Sequence, residues 1–132
     1  MARIAVVFAD GLRTYVKLDG AARPRASRGD IFTFEVASVF RDGIREAFEG
    51  PDGRNMRRTI REGDFVRQIE LHVNDVYPKD IPMTTMPPTL LRLLPPLPAQ
   101  LAYRIIGDAL VMQDVKTNTI VDFIPHAIPG VR

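Results

Sequence analysis

The stretch PPTLLRLLPPLPAQLAYRIIGDALVMQDVKTNTIVDFI, which runs from Pro87 to Ile124, decides the fold of this chain. Its first residues predict a short helix over Pro88–Leu94, because proline is well placed in the first helical turn. Alternating apolar residues then predict three strands joined by turns. Gly107-Asp108, between the first two strands, favours a type II′ turn, which takes glycine at its first central position.

The three predicted strands are Leu101–Ile106, Ala109–Asp114 and Thr119–Ile124. A two-residue turn fixes the register of the first two, so Tyr103 is expected to face Met112. Asp122 lies inside the third strand, and the alternation there predicts that its carboxylate faces solvent. The tail is therefore expected to be an antiparallel meander.

The clearest predicted helix covers Thr33–Glu49. Asp30 or Thr33 can cap its start, and Gly50 followed by proline ends it. Its apolar residues recur at the spacing of one helical face; they are Val36, Val39, Phe40, Ile44, Ala47 and Phe48. A second, shorter helix is expected from Asp52 to about Arg61, which together with the first would supply much of the core.

The remaining segments are predicted from local patterns. Arg3–Phe8 and Arg13–Leu18 flank an Asp-Gly dipeptide and predict a hairpin. Asp19–Asp30 is rich in glycine, proline and alanine, which predicts a mobile connector. Phe65–Val73 alternates strictly and predicts another strand.

These elements predict an α+β fold in which an antiparallel sheet packs against one main amphipathic helix. The 132 residues fit a single domain. Within it, we expect an N-terminal hairpin and connector over residues 1–30 and an α+β core over residues 31–132.

The tail resembles a known module. The residues that carry the likeness are the aromatic-led strand Tyr103–Ile106, Gly107-Asp108, an aliphatic strand ending at Asp114, and Asn118–Asp122. This pattern resembles the C-terminal hairpin module of small proteobacterial periplasmic proteins, which include domains of unknown function and the nickel/cobalt-homeostasis family. The resemblance implies a role at the cell envelope and carries no catalytic residue.

Composition excludes several classes of site. The chain has no cysteine, which excludes disulfides, thiolate metal sites and cysteine nucleophiles. Its two serines, Ser27 and Ser38, lie outside any glycine-flanked nucleophile elbow. We therefore predict no catalytic residue, no metal and no cofactor, and an enzyme is the less favoured class.

One loop leaves a ligand site open. His72, Asp75 and Asp80 follow the predicted strand that contains Arg67, and at the exit of a strand these side chains could converge on a small ligand or an ion. The alternative is that the aspartates form turns and that His72 is a polar strand residue. A ligand- or metal-binding protein or small enzyme is thus the first alternative function.

A leucine-rich segment is the leading candidate for an interaction surface. Residues 83–97 hold five leucines and two methionines, with Arg92 as their only charge. Such a segment either closes the core or forms an exposed apolar ridge. The surface candidates are Met83, Met86, Leu90, Leu91 and Leu94.

Arg54, Arg57, Arg58 and Arg61 form a basic patch on the second predicted helix. The formal net charge of only +2 disfavours nucleic acid as the main partner, so a weak nucleic-acid binder is the second alternative function.

The leading expectation is a non-catalytic interaction or envelope-accessory protein that forms a homodimer. Another protein is a further candidate partner. The apolar run Ile4–Ala9 is too short for a transmembrane segment or a signal core. The chain as written is therefore expected in the cytoplasm, or in the periplasm if the resemblance holds and a signal peptide has been removed.

Overall fold

A computed structural model describes residues 2–7, 13–18, 28, 31–63, 70–78 and 86–129. Two strands at the N-terminus, β1 (Ala2–Val7) and β2 (Arg13–Leu18), pair antiparallel. Their register runs from Ala2 opposite Leu18 to Val7 opposite Arg13, as expected for a hairpin. Apart from Arg28, which lies in a turn, the expected mobile connector falls outside the described residues.

Helix α1 covers Phe34–Glu49 and confirms the clearest sequence prediction. Thr33 caps it: its Oγ1 accepts from the backbone N–H of Val36 at 3.4 Å, and its carbonyl oxygen accepts from Ala37 at 2.7 Å. The helix ends at Gly50, whose N–H donates to the carbonyl of Ala47. One face is buried and forms the centre of the main core; it consists of Val36, Ala37, Phe40, Ile44 and Phe48.

Helix α2 (Gly53–Gly63) follows after a short turn and buries Met56 and Ile60. Its first residue lies against the end of α1, and a Cβ atom at Gly53 would overlap the backbone carbonyl of Phe48. Only glycine fits this approach without a backbone shift. The close contact therefore fixes how the two helices meet.

Gly53→Ala should lower the free energy of unfolding by about 1–3 kcal/mol, because the added methyl group forces the backbone apart. Gly43→Ala is the matched control, since a Cβ atom at Gly43 meets no atom within 4 Å. There alanine should stabilise the protein by about 1 kcal/mol through its higher helix propensity. Urea denaturation of the two variants checks both signs, and equal effects would contradict the packing described for Gly53.

Helix α3 is short and covers Pro88–Leu93. Pro87 occupies its N-cap position, and the helix closes when Leu94 donates its N–H to the carbonyl of Leu91. The threonines predicted to cap it, Thr84 and Thr85, lie outside the described residues.

The second sheet is the predicted meander, with strands β3 (Leu101–Ile106), β4 (Ala109–Asp114) and β5 (Thr119–Ile124) in the order β3-β4-β5. Tyr103 faces Met112, as expected. Gly107 has φ 61°, and no positive φ is found at the next residue, which fits a type II′ turn.

The strand predicted over Phe65–Val73 is wrong in its described part. Residues 65–69 lie outside the described ranges, and Glu70–Val73 contains no strand and runs into a turn at Asn74, which has φ 76°. Beyond this turn the chain bridges to the edge of β5, with Val76 opposite Thr119. Backbone hydrogen bonds hold this part beside β5, since Asn74 and Tyr77 donate their N–H groups to the carbonyl oxygens of Ile120 and Asn118.

Both faces of the meander are buried. One face packs against the three helices, with Tyr103, Ile105, Leu110 and Met112 in the main core. The other face forms a smaller cluster, to which the segment before α3 contributes Tyr77 and the partly buried Leu71. All six residues of β4 are buried as a result.

Helices and an antiparallel three-stranded sheet confirm the predicted α+β class. Among the described residues, no helix has the length and apolar character needed to cross a membrane.

Candidate functional site

The buried carboxylate of Asp122 connects the sheet to the start of α1. Asp122 is 0% exposed. Its Oδ2 accepts the backbone N–H groups of Ile31 and Phe32 at 2.9 and 2.8 Å, and its Oδ1 accepts that of Phe123 at 2.8 Å. The expectation of a solvent-facing carboxylate was therefore wrong. These bonds give Asp122 a structural role, because they satisfy buried backbone donors where the chain enters the helix.

A β-bulge in β5 lies next to this carboxylate. Met112 pairs with Asp122, whereas Gln113 pairs with Ile120, so Val121 is an extra residue in the strand. A bulge changes which face the neighbouring side chains point to. Val121 consequently joins the main core, and Ile120 joins the cluster on the opposite face.

Tyr103 is the other buried polar group beside α1. Its hydroxyl donates to the carbonyl oxygen of Pro95 at 2.6 Å, and its ring packs 6.0 Å from the ring of Phe40. Burial raises the pKa of the Tyr103 phenol. The phenol therefore stays protonated and keeps its hydrogen bond at pH values where an exposed tyrosine ionises.

Tyr103→Phe should cost about 1–2 kcal/mol at pH 8, because it leaves the carbonyl of Pro95 without its donor. Since the folded-state pKa is raised, the unfolded wild-type chain ionises first, and wild-type stability falls above about pH 10. The phenylalanine variant lacks this loss, so the difference between the two proteins should shrink by about 1.4 kcal/mol at pH 11. Urea titrations of both proteins at pH 8 and pH 11 measure this difference in the free energy of unfolding. A difference that is the same at the two pH values would contradict the role of the buried phenol.

An apolar groove of about 110 Å³ opens between α1 and α3. Gly43 lies in the middle of its α1 side, and the space above it is open. Apart from this glycine the lining is apolar; it consists of Val39, Phe40, Ile44, Leu90, Leu93, Leu94 and Pro95. The groove offers another molecule an open apolar recess on the described surface.

The predicted interaction residues divide between core and surface. Leu90 is 0% exposed and belongs to the core, and Met86 and Leu94 are half-buried against it. Leu91 is 48% exposed, and Leu93, which was not among the candidates, is 61% exposed. Met83 lies outside the described residues. Of the two exposed leucines of α3, only Leu93 lines the groove, and Leu93 is therefore the ridge beside it; Leu91 lies two residues away, on another side of the helix.

Charged residues of opposite sign flank the groove. Asp42 and Glu46 are exposed on α1, three and seven residues after Val39, so they lie along its groove side. Arg92 is exposed on α3, next to Leu93 in the sequence. The surface therefore combines an apolar recess, an α1 edge on which Glu46 lies beside the Asp42–Arg45 ion pair, and an α3 side with one cation, Arg92.

The loop predicted to bind a ligand is described only in part, because Arg67 and Asp80 lie outside the described residues. His72 is exposed, and its Nε2 lies 3.3 Å from Oε1 of Glu70. Asp75 is exposed and accepts the N–H of Ile120 through its backbone carbonyl at 2.8 Å. No group of three or more His, Cys, Asp or Glu residues able to hold a metal is found in the described ranges. The described half of this loop covers the edge of β5.

The arginines of α2 have different environments. Arg54 and Arg58 are exposed, whereas Arg57 is half-buried. The Arg57 guanidinium lies 5.3 Å from the centre of the Phe48 ring, and its Nε donates to the carbonyl of Pro129 at 3.3 Å. The side chain of Arg61 is not among those described. Arg57 therefore stabilises the fold, whereas Arg54 and Arg58 face solvent.

The turn between β3 and β4 holds the chain that follows β5. The backbone oxygen of Asp108 accepts the N–H groups of Ala127 and Ile128 at 2.9 and 3.0 Å. Its carboxylate also lies 2.7 Å from Nδ1 of His126, which has φ 55° and an exposed ring. His126 and Asp108 therefore fix the C-terminal segment rather than form an enclosed site.

Comparison with protein-family models, with curated proteins and with solved structures finds no significant match. The resemblance of the Tyr103–Asp122 module to small periplasmic proteins therefore stays a prediction.

Sequence reasoning selected only two of the eight groove residues, Leu90 and Leu94, as interaction candidates. Three of the others were expected on the apolar face of α1, and the remaining three, Gly43, Leu93 and Pro95, were missed. Leu93 was not selected because its leucine-rich segment gives no simple helical stripe. A signal for Gly43 was present: a glycine inside a strongly amphipathic helix costs about 1 kcal/mol relative to alanine, and nothing in the folded chain packs closely against it.

Proposed function

We propose that this protein is a non-catalytic interaction protein that forms a homodimer through the groove between α1 and α3. The observation that carries the proposal is that a recess and a ridge lie side by side on one surface. The recess opens above Gly43, and the ridge beside it presents Leu93, which is 61% exposed. A two-fold dimer uses the same surface on both copies. That surface must therefore contain both a recess and the projecting side chain that fills the recess of the other copy.

The charges around the groove favour a second copy of this chain as the occupant. Asp42 and Glu46 lie on the α1 side, and Arg92 lies on the α3 side. When two copies meet face to face about a two-fold axis that runs along the groove, the α3 side of each copy faces the α1 side of the other. Unlike charges then oppose one another at the rim, which favours this pairing over one that brings the two α1 edges together.

Burial of the ridge supplies the apolar contribution. Leu93 is 61% exposed in the single chain. Transfer of apolar surface out of water contributes about 25 cal/mol per Å². The lining of the groove is apolar along both helices, so burial of Leu93 there leaves few polar groups to desolvate.

A role at the cell envelope belongs to the same proposal and rests on the resemblance of the tail to periplasmic proteins. Dimer formation does not depend on it. The two parts can be tested separately, because one concerns a surface and the other a compartment.

Cross-linking tests the proposed interface. The chain has no cysteine, so Leu93→Cys introduces a single thiol beside the groove. Lys116→Cys, in the exposed loop between β4 and β5, is the matched control. With a flexible bismaleimide, Leu93→Cys should yield covalent dimers much faster than Lys116→Cys. Equal rates at the two positions, or faster cross-linking at residue 116, would overturn the proposal.

A further inference from the structure

We propose that Tyr103 holds the two walls of the groove at a fixed spacing and thereby controls how tightly a second copy binds there. This role rests on the proposed dimer, because it concerns the same groove. It goes beyond the stability that the buried phenol gives to the fold, since it assigns the shape of the recess to one side chain. Two contacts carry it, one to each wall: the hydrogen bond to Pro95 and the packing against Phe40.

The wall on the α3 side ends in two consecutive prolines. Pro95 is buried and lines the groove, and it follows Leu94, where the backbone has become extended at φ −85° and ψ 149°. A proline ring fixes φ of its own residue, and the following Pro96 restricts the backbone of Pro95 to an extended conformation. The ring of Pro95 and its carbonyl group therefore move as one rigid unit.

The hydroxyl of Tyr103 ties this unit to the sheet. It donates to the carbonyl oxygen of Pro95 at 2.6 Å, and the bond is buried. Tyr103 lies inside β3 and is paired with Met112 of β4, so its backbone is held by the sheet. Because the ring and the carbonyl of Pro95 are rigidly linked, this bond sets the position of the α3 wall relative to the sheet.

The aromatic ring of the same tyrosine packs against the α1 wall. Its centre lies 6.0 Å from that of Phe40, which lines the groove, and the two ring planes are inclined at 56°. Phe40 also packs edge-to-face on Phe32 at 5.2 Å, so its ring is held by a second neighbour. One side chain thus contacts a lining residue of each wall, and the width of the groove follows from its ring and its hydrogen bond.

The burial of Leu90 holds α3 against the core but leaves the far end of this wall to be fixed by another contact. Leu90 is 0% exposed, and Pro95 comes five residues later, beyond the last helical residue. A helix of six residues is too short to be stable by itself. The contact beyond its end therefore decides whether Leu93 stays beside the recess, where the second copy needs it.

Without the hydroxyl, we expect the α3 wall to occupy several positions. Loss of one buried hydrogen bond changes a conformational equilibrium by about tenfold. In a two-fold dimer both copies need a groove of the right width, so the fraction of competent chains enters the affinity twice. Tyr103→Phe should therefore raise the dissociation constant of the dimer about fivefold.

Sedimentation equilibrium of the wild type, Tyr103→Phe and Thr33→Ala measures this constant. Thr33→Ala is the matched control, because it removes the N-cap hydrogen bond of α1 and destabilises the fold to a similar extent. Thr33 lies about 9 Å of helix before Val39, the first lining residue on α1, so the constant should change less than about twofold. Circular dichroism confirms that each variant is folded. A dimer that is weakened equally in both variants, or in neither, would overturn the role of Tyr103.

A distance within the single chain separates this role from the dimer. Nitroxide labels at Arg45→Cys on α1 and Leu91→Cys on α3 report the spacing of the walls, since both positions are exposed, lie outside the lining and add the only thiols of the chain. At a concentration where the chain is single, double electron–electron resonance should give a narrow distribution for the wild type and Thr33→Ala and a broader one for Tyr103→Phe.

The two measurements have different failures. The same distance distribution in all three proteins would refute the role of Tyr103, whether or not the chain dimerises. A broader distribution in Tyr103→Phe, combined with a wild-type chain that never dimerises, would overturn the dimer and leave Tyr103 as the residue that sets the width of the groove.

Discussion

Asp122→Ala is expected to lower the free energy of unfolding by about 3 kcal/mol or more. The carboxylate accepts the backbone N–H groups of Ile31 and Phe32, both of which are buried. Alanine leaves these donors without this acceptor, and each buried group left unsatisfied costs about 1–3 kcal/mol. Urea denaturation measures the loss, and hydrogen exchange should show that protection disappears first at these two amides.

An exposed carboxylate on the adjoining helix provides the control for this variant. Asp42 is 73% exposed and pairs with Arg45 at 2.8 Å, so Asp42→Ala should change stability by less than about 0.5 kcal/mol. If Asp122→Ala were as mild as this control, the connection between β5 and the start of α1 would not contribute to the fold as described.

Phe40→Ala is expected to cost about 3–5 kcal/mol, because it removes a fully buried ring from the main core. Phe40 is 3% exposed, and its ring centre lies 5.2 Å from that of Phe32 in an edge-to-face arrangement. The Phe40 ring also packs against Tyr103 of β3, so the substitution removes contacts with the sheet as well as with the start of α1.

Phe34 supplies a matched control on the same helix. It is 85% exposed, so Phe34→Ala removes the same ring from water rather than from the core. The change in stability should stay within about 0.5 kcal/mol. A loss under about 1 kcal/mol for Phe40→Ala in a denaturant titration would show that the apolar face of α1 is not a core face.

The elements that sequence predicted well are those whose pattern is local. The Gly107-Asp108 turn fixed the register of β3 and β4, and the apolar spacing of Thr33–Glu49 located α1 and its buried face. Both depend on residues within one or two turns of each other. Contacts between distant parts of the chain were not needed to predict them.

The bulge in β5 shows why the rest could not be predicted. No glycine or proline marks Val121 as an extra residue, so simple alternation placed Ile120 and Asp122 on the same face. The partners of Asp122 are the backbone amides of Ile31 and Phe32, which lie 91 and 90 residues earlier in the chain. A useful signal was nevertheless present, because regular alternation put this carboxylate beside Ile124, where a charge needs a hydrogen-bonding partner.

The surface was predicted less completely than the core. Composition identified the leucine-rich segment, but not which leucines are buried, since Leu90 and Leu91 are adjacent and only Leu90 is in the core. The division depends on how α3 lies against α1. That contact joins residues some fifty positions apart, such as Ile44 and Leu90, which both line the groove.

The central claim is that two copies of the chain meet at the groove, and a substitution pair at Gly43 isolates it. A Cβ atom at this position meets no atom within 4 Å in the single chain, so alanine fits the fold without displacing a neighbour. Alanine leaves most of the recess open, whereas the indole of Gly43→Trp fills it. Thermal unfolding by circular dichroism should confirm that both variants are folded.

Sedimentation equilibrium over a range of concentrations then gives the decisive mass. The wild-type chain and Gly43→Ala should move from the chain mass of 14.8 kDa towards twice that value as concentration rises, while Gly43→Trp should stay at 14.8 kDa. A wild-type chain that stays at 14.8 kDa at every concentration, or a tryptophan variant that associates as strongly as the wild type, would contradict the account.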